Sequence, residues 1–221
     1  MVDCVLFDLD GTLVDTAADF VEVLNIQRLA HNLPPLDALT IRNTVSDGSR
    51  ALTKLAFGGE PGEPNFEQNR LELLKLYEAE AGKAALLFPG MHKLLEGFAL
   101  NAIRWGIVTN KPRLYTELLL SRMAAHSPII NECNIVVCAD DLKQAKPHPE
   151  GILKALDALN AEPVNSLYIG DHERDIIAGK AAGTATVAVT FGYVDDPSII
   201  PSWNADLVIN HPLDLNPLIN L

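Results

Sequence analysis

Short runs of apolar, often β-branched residues recur along this chain, and most of them are separated by stretches with helical periodicity. This alternation predicts βαβ units, because a crossover helix is the usual connection between two parallel strands. The runs are almost continuously apolar, which indicates strands covered by helices on both faces. We therefore predict an α/β fold with a doubly wound parallel sheet. The predicted strands are Val2–Leu9, Ala102–Thr109, Asn134–Cys138, Ser166–Ile169, Thr184–Val189 and Leu207–Ile209.

One interval departs from this alternation. From about Thr16 to Phe88 the sequence shows helical patterns and no convincing strand. A helical block of roughly 70 residues is far longer than an ordinary βα connection. We therefore predict an inserted, all-helical cap domain at residues 15–88, with residues 1–14 and 89–221 forming the core domain. The predicted cap helices are Ala17–His31, Leu39–Val45, Arg50–Phe57 and Phe66–Ala81.

Charge and composition exclude some classes of binding partner and indicate the cellular compartment. The chain of 221 residues has 17 Lys and Arg against 29 Asp and Glu, a formal net charge of −12, and such a surface repels nucleic acid and anionic membranes. No run of about 18 apolar residues and no basic leader is visible, so we expect neither a transmembrane span nor a signal peptide. The three cysteines lack CxxC spacing and are too few for a disulfide scaffold. We therefore expect a cytoplasmic protein that binds neither nucleic acid nor membranes.

Acidic residues follow two of the predicted strands. Asp8 and Asp10 end the first strand, and because they are two residues apart, both carboxylates point to one side of an extended chain. Asp171 follows another strand, and Asp175 lies about one turn into the next helix, where it can face back toward Asp171. Ligands of open α/β sheets bind outside the carboxyl ends of the strands. Four carboxylates are therefore predicted to converge on one crevice.

A cluster of oxygen ligands selects a hard cation. Mg²⁺ typically takes one or two carboxylates together with waters and the phosphate oxygens of a substrate. The cluster therefore predicts a Mg²⁺ site and a small-molecule phosphate as the substrate. Lys146 can balance the charge of the phosphoryl oxygens, and Thr109, at the end of the second predicted strand, can donate a hydrogen bond to them.

These residues resemble the four motifs of the haloacid dehalogenase superfamily of phosphohydrolases. The first motif, DxDGT, reads Asp8 to Thr12, and the hydroxyl-bearing strand end is Thr109. The lysine of the third motif is Lys146, and GDxxxD reads Gly170 to Asp175. The motifs match in order over most of the chain, and the helical insert falls where the C1 caps of this superfamily lie. The resemblance implies a Rossmann-like catalytic core and hydrolysis of phosphoric monoesters.

The resemblance also implies roles for the acidic residues. Asp8 is expected to be the nucleophile that attacks phosphorus and becomes an aspartyl phosphate. Asp10 is expected to protonate the leaving alkoxide and then to activate the hydrolytic water. Mg²⁺ is expected to be held by the carboxylate of Asp8, the backbone carbonyl of Asp10 and the carboxylate of Asp171. Asp175 is expected to support this metal site.

Three further residues are expected around the phosphoryl group. Thr109 and Lys146 are expected to take part in catalysis by holding the phosphoryl oxygens, and Asn110 is expected to contribute to substrate binding. Asn110 and the following Lys111 can equally cap the next helix.

The cap supplies the predicted contacts to the rest of the substrate. Ser49 and Arg50 lie in a predicted loop, Ser46 to Arg50, that can face the core. Arg50 can pair bidentately with a substrate carboxylate, although a surface arginine at the start of a helix is an equally ordinary interpretation.

Within the superfamily the chain resembles the phosphoglycolate phosphatase branch at Phe7–Thr16, Thr109–Pro112 and Phe191–Tyr193. Two stretches, Gly170–Ile176 and the cap segment Val45–Arg50, look more like the N-acetylmuramic acid 6-phosphate phosphatases of cell-wall recycling. The expected substrate is therefore a small acidic metabolite or a sugar phosphate, with 2-phosphoglycolate and N-acetylmuramic acid 6-phosphate as the two candidates.

Two other functions stay open. A sugar-phosphate mutase uses a similar scaffold, but such mutases often carry Val where Thr12 stands, which favours hydrolysis. A phosphoacceptor signalling module also arranges acidic strand ends, a Thr and a Lys around Mg²⁺, but it needs only about 120 residues and no cap. The sequence leaves the oligomeric state open between a monomer and a homodimer.

Overall fold

The computed structural model describes residues 2–219, and its strands confirm the predicted parallel α/β sheet. Six strands pair in parallel in the order β5-β4-β1-β6-β7-β8, so β1 lies in the middle of the sheet. Two further strands, β2 and β3, form a separate antiparallel pair. In chain order the strands are β1 (Cys4–Phe7), β2 (Val14–Asp15), β3 (Leu86–Leu87), β4 (Arg104–Val108), β5 (Ile135–Val137), β6 (Ser166–Gly170), β7 (Ala185–Val189) and β8 (Leu207–Ile209).

Helices lie on both faces of this sheet and in a separate group between β2 and β3. Four helices form that group, and the remaining ones connect the sheet strands. None of the described helices is long and apolar enough to cross a membrane. In chain order the helices are α1 (Ala17–Ala30), α2 (Ala38–Thr44), α3 (Gly48–Phe57), α4 (Pro64–Glu80), α5 (Met91–Leu100), α6 (Arg113–Met123), α7 (Glu150–Leu159) and α8 (Glu173–Ala182).

The central strand β1 shows why the sheet needs helices on both faces. Successive side chains of a strand point to opposite faces, and all four residues of β1 are completely buried. Val5 and Phe7 pack with apolar residues of α5 and α6, whereas Cys4 and Leu6 pack with those of α7 and α8. The continuous apolar run of β1 is therefore the signature of a doubly covered strand.

Helices α1 to α4 follow one another between β2 and β3 and share one apolar cluster. In α1, the buried residues Phe20, Val23 and Leu24 follow the i, i+3, i+4 spacing of one helical face. They pack with buried residues of the other three helices, including Leu52 of α3 and Leu73 of α4. The cluster also includes Phe88 and Tyr193, so these helices pack around a small apolar centre that extends to the core.

Two local predictions are wrong. The interval from Thr16 to Phe88 does contain a strand, β3, and a two-residue strand is too short to show alternation in a sequence. The segment predicted as a loop, Ser46 to Arg50, is instead a 3₁₀ turn at Val45–Asp47 followed directly by the first turn of α3. Gly48 joins the turn to α3 with φ = 79°, and this angle interrupts the helical pattern without a loop.

Candidate active site

Three carboxylates meet at the carboxyl edge of the sheet. Asp8 follows β1, Asp171 follows β6, and Asp175 lies in the first turn of α8. Strands β1 and β6 pair with Phe7 opposite Ile169, which brings their two ends side by side. One carboxylate oxygen from each acidic residue lies within 4.8 Å of the others, and all three residues are buried.

Lys146 lies between two of these carboxylates. Its Nζ is 2.8 Å from Asp8 Oδ1 and 2.7 Å from Asp175 Oδ1, and its side chain is only 2% exposed. Burial disfavours the charged ammonium, but the carboxylates of Asp175 and Asp8 more than offset this, so the pKa of Lys146 is raised. Lys146 is therefore an ammonium ion over the whole physiological pH range.

Asn110, which we predicted as a substrate contact, holds the backbone of Lys146. Its Nδ2 donates to the carbonyl oxygen of Lys146 at 2.9 Å, and its Oδ1 accepts from the amide of Lys146 at 3.0 Å. Both polar ends of the side chain therefore fix the position of the lysine. Asn110 also lines the cavity described below, so a contact with substrate stays a prediction.

Asp171 is enclosed by two glycines. A Cβ added at Gly11, whose φ is 81°, would lie 2.1 Å from Asp171 Oδ2, and a Cβ at Gly192 would lie 2.4 Å from Asp171 Cβ. Asp171 Oδ2 accepts a hydrogen bond from the amide of Tyr193 at 2.9 Å, and its Oδ1 faces the hydroxyl of Thr12 at 3.3 Å. The approach of backbone to this carboxylate explains why glycine is needed at both positions.

The charges of this cluster do not balance. The carboxylates of Asp8 and Asp175 share the ammonium of Lys146, and the carboxylate of Asp171 lies beside them without a contact to a cationic side chain among the described ion pairs. Burial, reinforced by the neighbouring carboxylates, raises the pKa of Asp171 to about 7, and burial also raises the pKa of Asp8. A divalent cation would supply the missing positive charge, and an oxygen-only donor set suits a hard cation. The residues present therefore fit a divalent metal ion.

Asp10 faces a different group. Its Oδ1 accepts a hydrogen bond from Thr16 Oγ1 at 2.6 Å and lies 2.9 Å from Lys111 Nζ. The Lys111 side chain is 8% exposed, and its ammonium lies 5.1 Å and 4.7 Å from the ring centres of Phe20 and Tyr77. The carboxylate of Asp10 therefore pairs with Thr16 and Lys111, whereas Asp8, Asp171 and Asp175 form the group of carboxylates that could hold a metal ion.

A cavity of about 560 Å³ separates these groups from the helical insert. Asp8 and Asp10 lie on its core side together with Thr109, whose hydroxyl accepts a hydrogen bond from the amide of Lys111 at 3.1 Å. Ser49 and Arg50 line the opposite side, so the structure brings these two predicted residues to the same cavity as the acidic residues. The other lining residues are Phe20, Val45, Ser46, Asp47, Gly48, Arg70, Leu74, Tyr77, Asn110, Lys111, Pro112, Tyr115 and Arg174.

Two groups of cavity residues were not expected from the sequence, namely Arg174 of α8 and the pair Arg70 and Tyr77 of α4. Arg174 donates a hydrogen bond from Nη2 to the carbonyl oxygen of Ser46, which links α8 to the insert, and the Ser46 hydroxyl faces Asp171 Oδ2 at 3.3 Å. The second group, Arg70 and Tyr77, lies on α4. Helical periodicity predicted α4 itself, but it could not show that one face of this helix would border the cavity.

Comparison with known proteins gives consistent results. A family model described as haloacid dehalogenase-like hydrolase matches residues 5–189. An N-acetylmuramic acid 6-phosphate phosphatase of Pseudomonas putida is 38% identical over 98% of this chain and 95% of its own length. A phosphoglycolate phosphatase of Xanthomonas campestris is also 38% identical, over 96% and 93%. The solved structure of a haloacid dehalogenase-like hydrolase from Bacteroides fragilis superposes with a TM-score of 0.80 at 27% identity, covering 96% of this chain and 98% of that one.

The fold, the site and these relatives define the class of protein. The protein is a hydrolase of phosphoric monoesters, as the sequence predicted. The chain belongs to the haloacid dehalogenase-like hydrolase family, and this confirms the predicted resemblance.

Proposed function

We propose that this enzyme hydrolyses the phosphoric monoester of a carboxylate-bearing metabolite, with Asp8 as the nucleophile and Mg²⁺ as the metal ion. One observation supports the proposal most directly. The carboxylate of Asp8 borders the cavity 2.8 Å from the buried ammonium of Lys146, with the carboxylates of Asp171 and Asp175 beside it. A nucleophile at the cavity therefore lies beside a cation for phosphoryl oxygens and a site for a dication.

In the first step, a carboxylate oxygen of Asp8 forms a bond to phosphorus while the bond to the ester oxygen breaks. The product is an aspartyl phosphate. Lys146 and the hydroxyl of Thr109 stabilise the charge on the phosphoryl oxygens. Asp8, the carbonyl of Asp10 and Asp171, with support from Asp175, would hold Mg²⁺, which would supply the positive charge that lets a carboxylate approach an anionic phosphate.

Asp10 moves the protons in both steps. Its carboxyl group donates a proton to the departing ester oxygen, and the resulting carboxylate then takes a proton from the water that attacks the aspartyl phosphate. Thr16 and Lys111 hold this carboxylate in place through the contacts at 2.6 Å and 2.9 Å.

The cavity supports a substrate larger than a two-carbon acid. One relative named for N-acetylmuramic acid 6-phosphate and one named for phosphoglycolate are both 38% identical to this chain, so percentage identity does not separate the two substrates. A cavity of about 560 Å³ lies within the range of roughly 300–1,000 Å³ that is typical of pockets for drug-sized ligands. We therefore propose a phosphorylated sugar acid such as N-acetylmuramic acid 6-phosphate as the preferred substrate, and 2-phosphoglycolate as the second candidate.

The same proposal gives residues 15–88 the role of a cap. Residues 1–14 and 89–221 would carry the phosphoryl chemistry, and the insert would close over the remainder of the substrate. Ser49, Arg50 and Asn110 are proposed as substrate contacts because all three line the cavity. A cytoplasmic location and a monomeric or homodimeric state stay predictions. The three free cysteines are compatible with a reducing compartment.

We expect phosphatase activity to require Mg²⁺. Chelation with EDTA should abolish hydrolysis of p-nitrophenyl phosphate, and added Mg²⁺ should restore it, because without a dication the buried carboxylates repel one another and the substrate. The measurement is a steady-state rate across a Mg²⁺ titration. Full activity of the chelated enzyme would refute the metal assignment.

Thermal unfolding of the same samples provides a control without turnover. The pKa of Asp171 is about 7 in the folded protein against an ordinary value of 3.8, so the folded state binds more protons between these two values. Stability of the metal-free protein should therefore fall as the pH rises from about 4 to about 7, and Mg²⁺, which binds the carboxylate form, should raise Tm more at about pH 8 than at about pH 5. An equal rise at both pH values would contradict this linkage.

Asp10→Asn should impair proton donation more than phosphorus attack. We expect a much larger loss of kcat for an alkyl phosphate than for p-nitrophenyl phosphate, because p-nitrophenolate leaves without being protonated. The second step also loses its base, so some loss on both esters is expected. The decisive quantity is the ratio of the two losses, and a ratio near one would exclude Asp10 as the general acid.

A further inference from the structure

One face of α4 borders the cavity without a part in the phosphoryl chemistry. Arg70, Leu74 and Tyr77 all line the cavity, and their i, i+4, i+7 spacing places them on the same side of the helix. We propose that this α4 face (Arg70, Leu74 and Tyr77) is the binding site for the leaving-group half of the substrate. The inference rests on the proposed phosphatase function and goes beyond it by naming the residues that select the substrate.

Tyr77 carries a polar group that lacks a partner. The residue is 2% exposed, and within residues 2–219 its buried hydroxyl makes no hydrogen bond of normal geometry. The nearby ammonium of Lys111, 4.7 Å from the ring centre, can only donate, so the hydroxyl proton is left without an acceptor. Its ring stacks on Phe20 with the ring centres 4.3 Å apart and the planes 5° from parallel, so the hydroxyl cannot readily turn toward solvent. Burial raises the pKa of Tyr77, which keeps the hydroxyl protonated. Buried hydroxyl groups normally have partners, and an oxygen of a bound ligand would supply this one.

Arg70 is held in a defined orientation. Its Nε donates to Glu67 Oε2 at 2.8 Å, and the other oxygen of Glu67 accepts from the amide of Gly62 at 3.2 Å. The side chain is 24% exposed. Over the described part of the chain, the two terminal nitrogens of Arg70 make no hydrogen bond. A guanidinium fixed through Nε offers its outer edge as a fork for a carboxylate.

These three side chains together indicate which chemical groups a ligand bound to the α4 face would carry. A hydrogen-bonding hydroxyl and a cationic fork lie at opposite ends of the face, and the apolar side chain of Leu74 lies between them in the sequence of the helix. The matching leaving group has a ring-sized body with a polar oxygen near the phosphate end and a carboxylate at the far end. Arg50, which we predicted for this carboxylate, is exposed and makes no side-chain hydrogen bond or ion pair with the residues described.

The test compares three esters on the full-length enzyme with Mg²⁺. N-Acetylmuramic acid 6-phosphate carries the carboxylate, N-acetylglucosamine 6-phosphate is the same sugar without it, and p-nitrophenyl phosphate lacks both features. Arg70→Ala should lower kcat/KM for the first ester by about 10- to 100-fold, and at least tenfold more than for the other two. Tyr77→Phe keeps the ring and should lower kcat/KM about fivefold or more for both sugar phosphates relative to p-nitrophenyl phosphate.

Lys75→Ala, on the exposed side of the same helix, serves as the control and should leave all three values unchanged. The measurement also includes the ratios of kcat/KM among the three esters for the wild-type enzyme and the thermal unfolding of each variant. Equal losses on all three esters, or no loss for either variant, would overturn the inference while leaving the phosphatase function standing. If the wild-type enzyme hydrolyses none of the three esters, the proposed function itself fails and the inference fails with it.

Discussion

Asp8→Asn is expected to lower kcat by about 10³-fold or more, because an amide cannot form the acyl phosphate on which turnover depends. The fold should survive the change. The amide oxygen can still accept the hydrogen bond that the amide of Leu9 donates to Asp8 Oδ1 at 2.7 Å, and Lys146 keeps its contact with Asp175 at 2.7 Å. The measurement is kcat for p-nitrophenyl phosphate together with thermal unfolding of the variant.

A matched variant and a chemical trap sharpen this experiment. Asp157→Asn makes the same change on the exposed side of α7 and should retain full activity. Peptide mapping of the trapped phosphoenzyme should locate the phosphoryl group on Asp8. A wild-type rate for Asp8→Asn, or a phosphoryl group on another residue, would exclude Asp8 as the nucleophile.

Lys146→Met should damage both catalysis and stability. Without the ammonium, the phosphoryl oxygens lose a donor and kcat should fall by about 10²- to 10³-fold. The buried carboxylates of Asp8 and Asp175 also lose their shared partner, and breaking a buried ion pair in this way costs about 3–5 kcal/mol of unfolding free energy. Protonation can relieve the stranded carboxylates, so the loss of stability should be larger at about pH 8 than at about pH 5.

Urea unfolding at these two pH values measures the effect on stability, and Lys93→Met, an exposed lysine on α5, is the control. The two readouts separate the roles of Lys146. A variant that unfolds like the wild type at both pH values would show that Lys146 does not balance the charge of the cluster. Unchanged kcat in a folded variant would remove Lys146 from the reaction.

The fold follows from local patterns. Apolar runs such as Cys4–Phe7 predict strands because covered strands must bury both faces. The predicted cap helices match α1 to α4 closely because apolar residues recur at helical spacing, as Phe20, Val23 and Leu24 do in α1. The short strand β3 was missed because two residues carry no periodicity. The turn at Val45–Asp47 was misread as part of a loop because a 3₁₀ turn is too short for a helical pattern.

By itself, the sequence determined the sheet, the position of the helical insert and the acidic and basic residues at the strand ends, because strand and helix periodicity and motif spacing are properties of neighbouring residues. Only the tertiary structure decided what these residues touch. Lys111 reaches Asp10 across 101 positions of the chain, and Asn110 binds the backbone of Lys146 across 36. Likewise, α4 turns Arg70 and Tyr77 toward the cavity only because the insert packs over the core. Contacts between distant segments depend on how whole elements pack, and no local pattern in the chain encodes that packing.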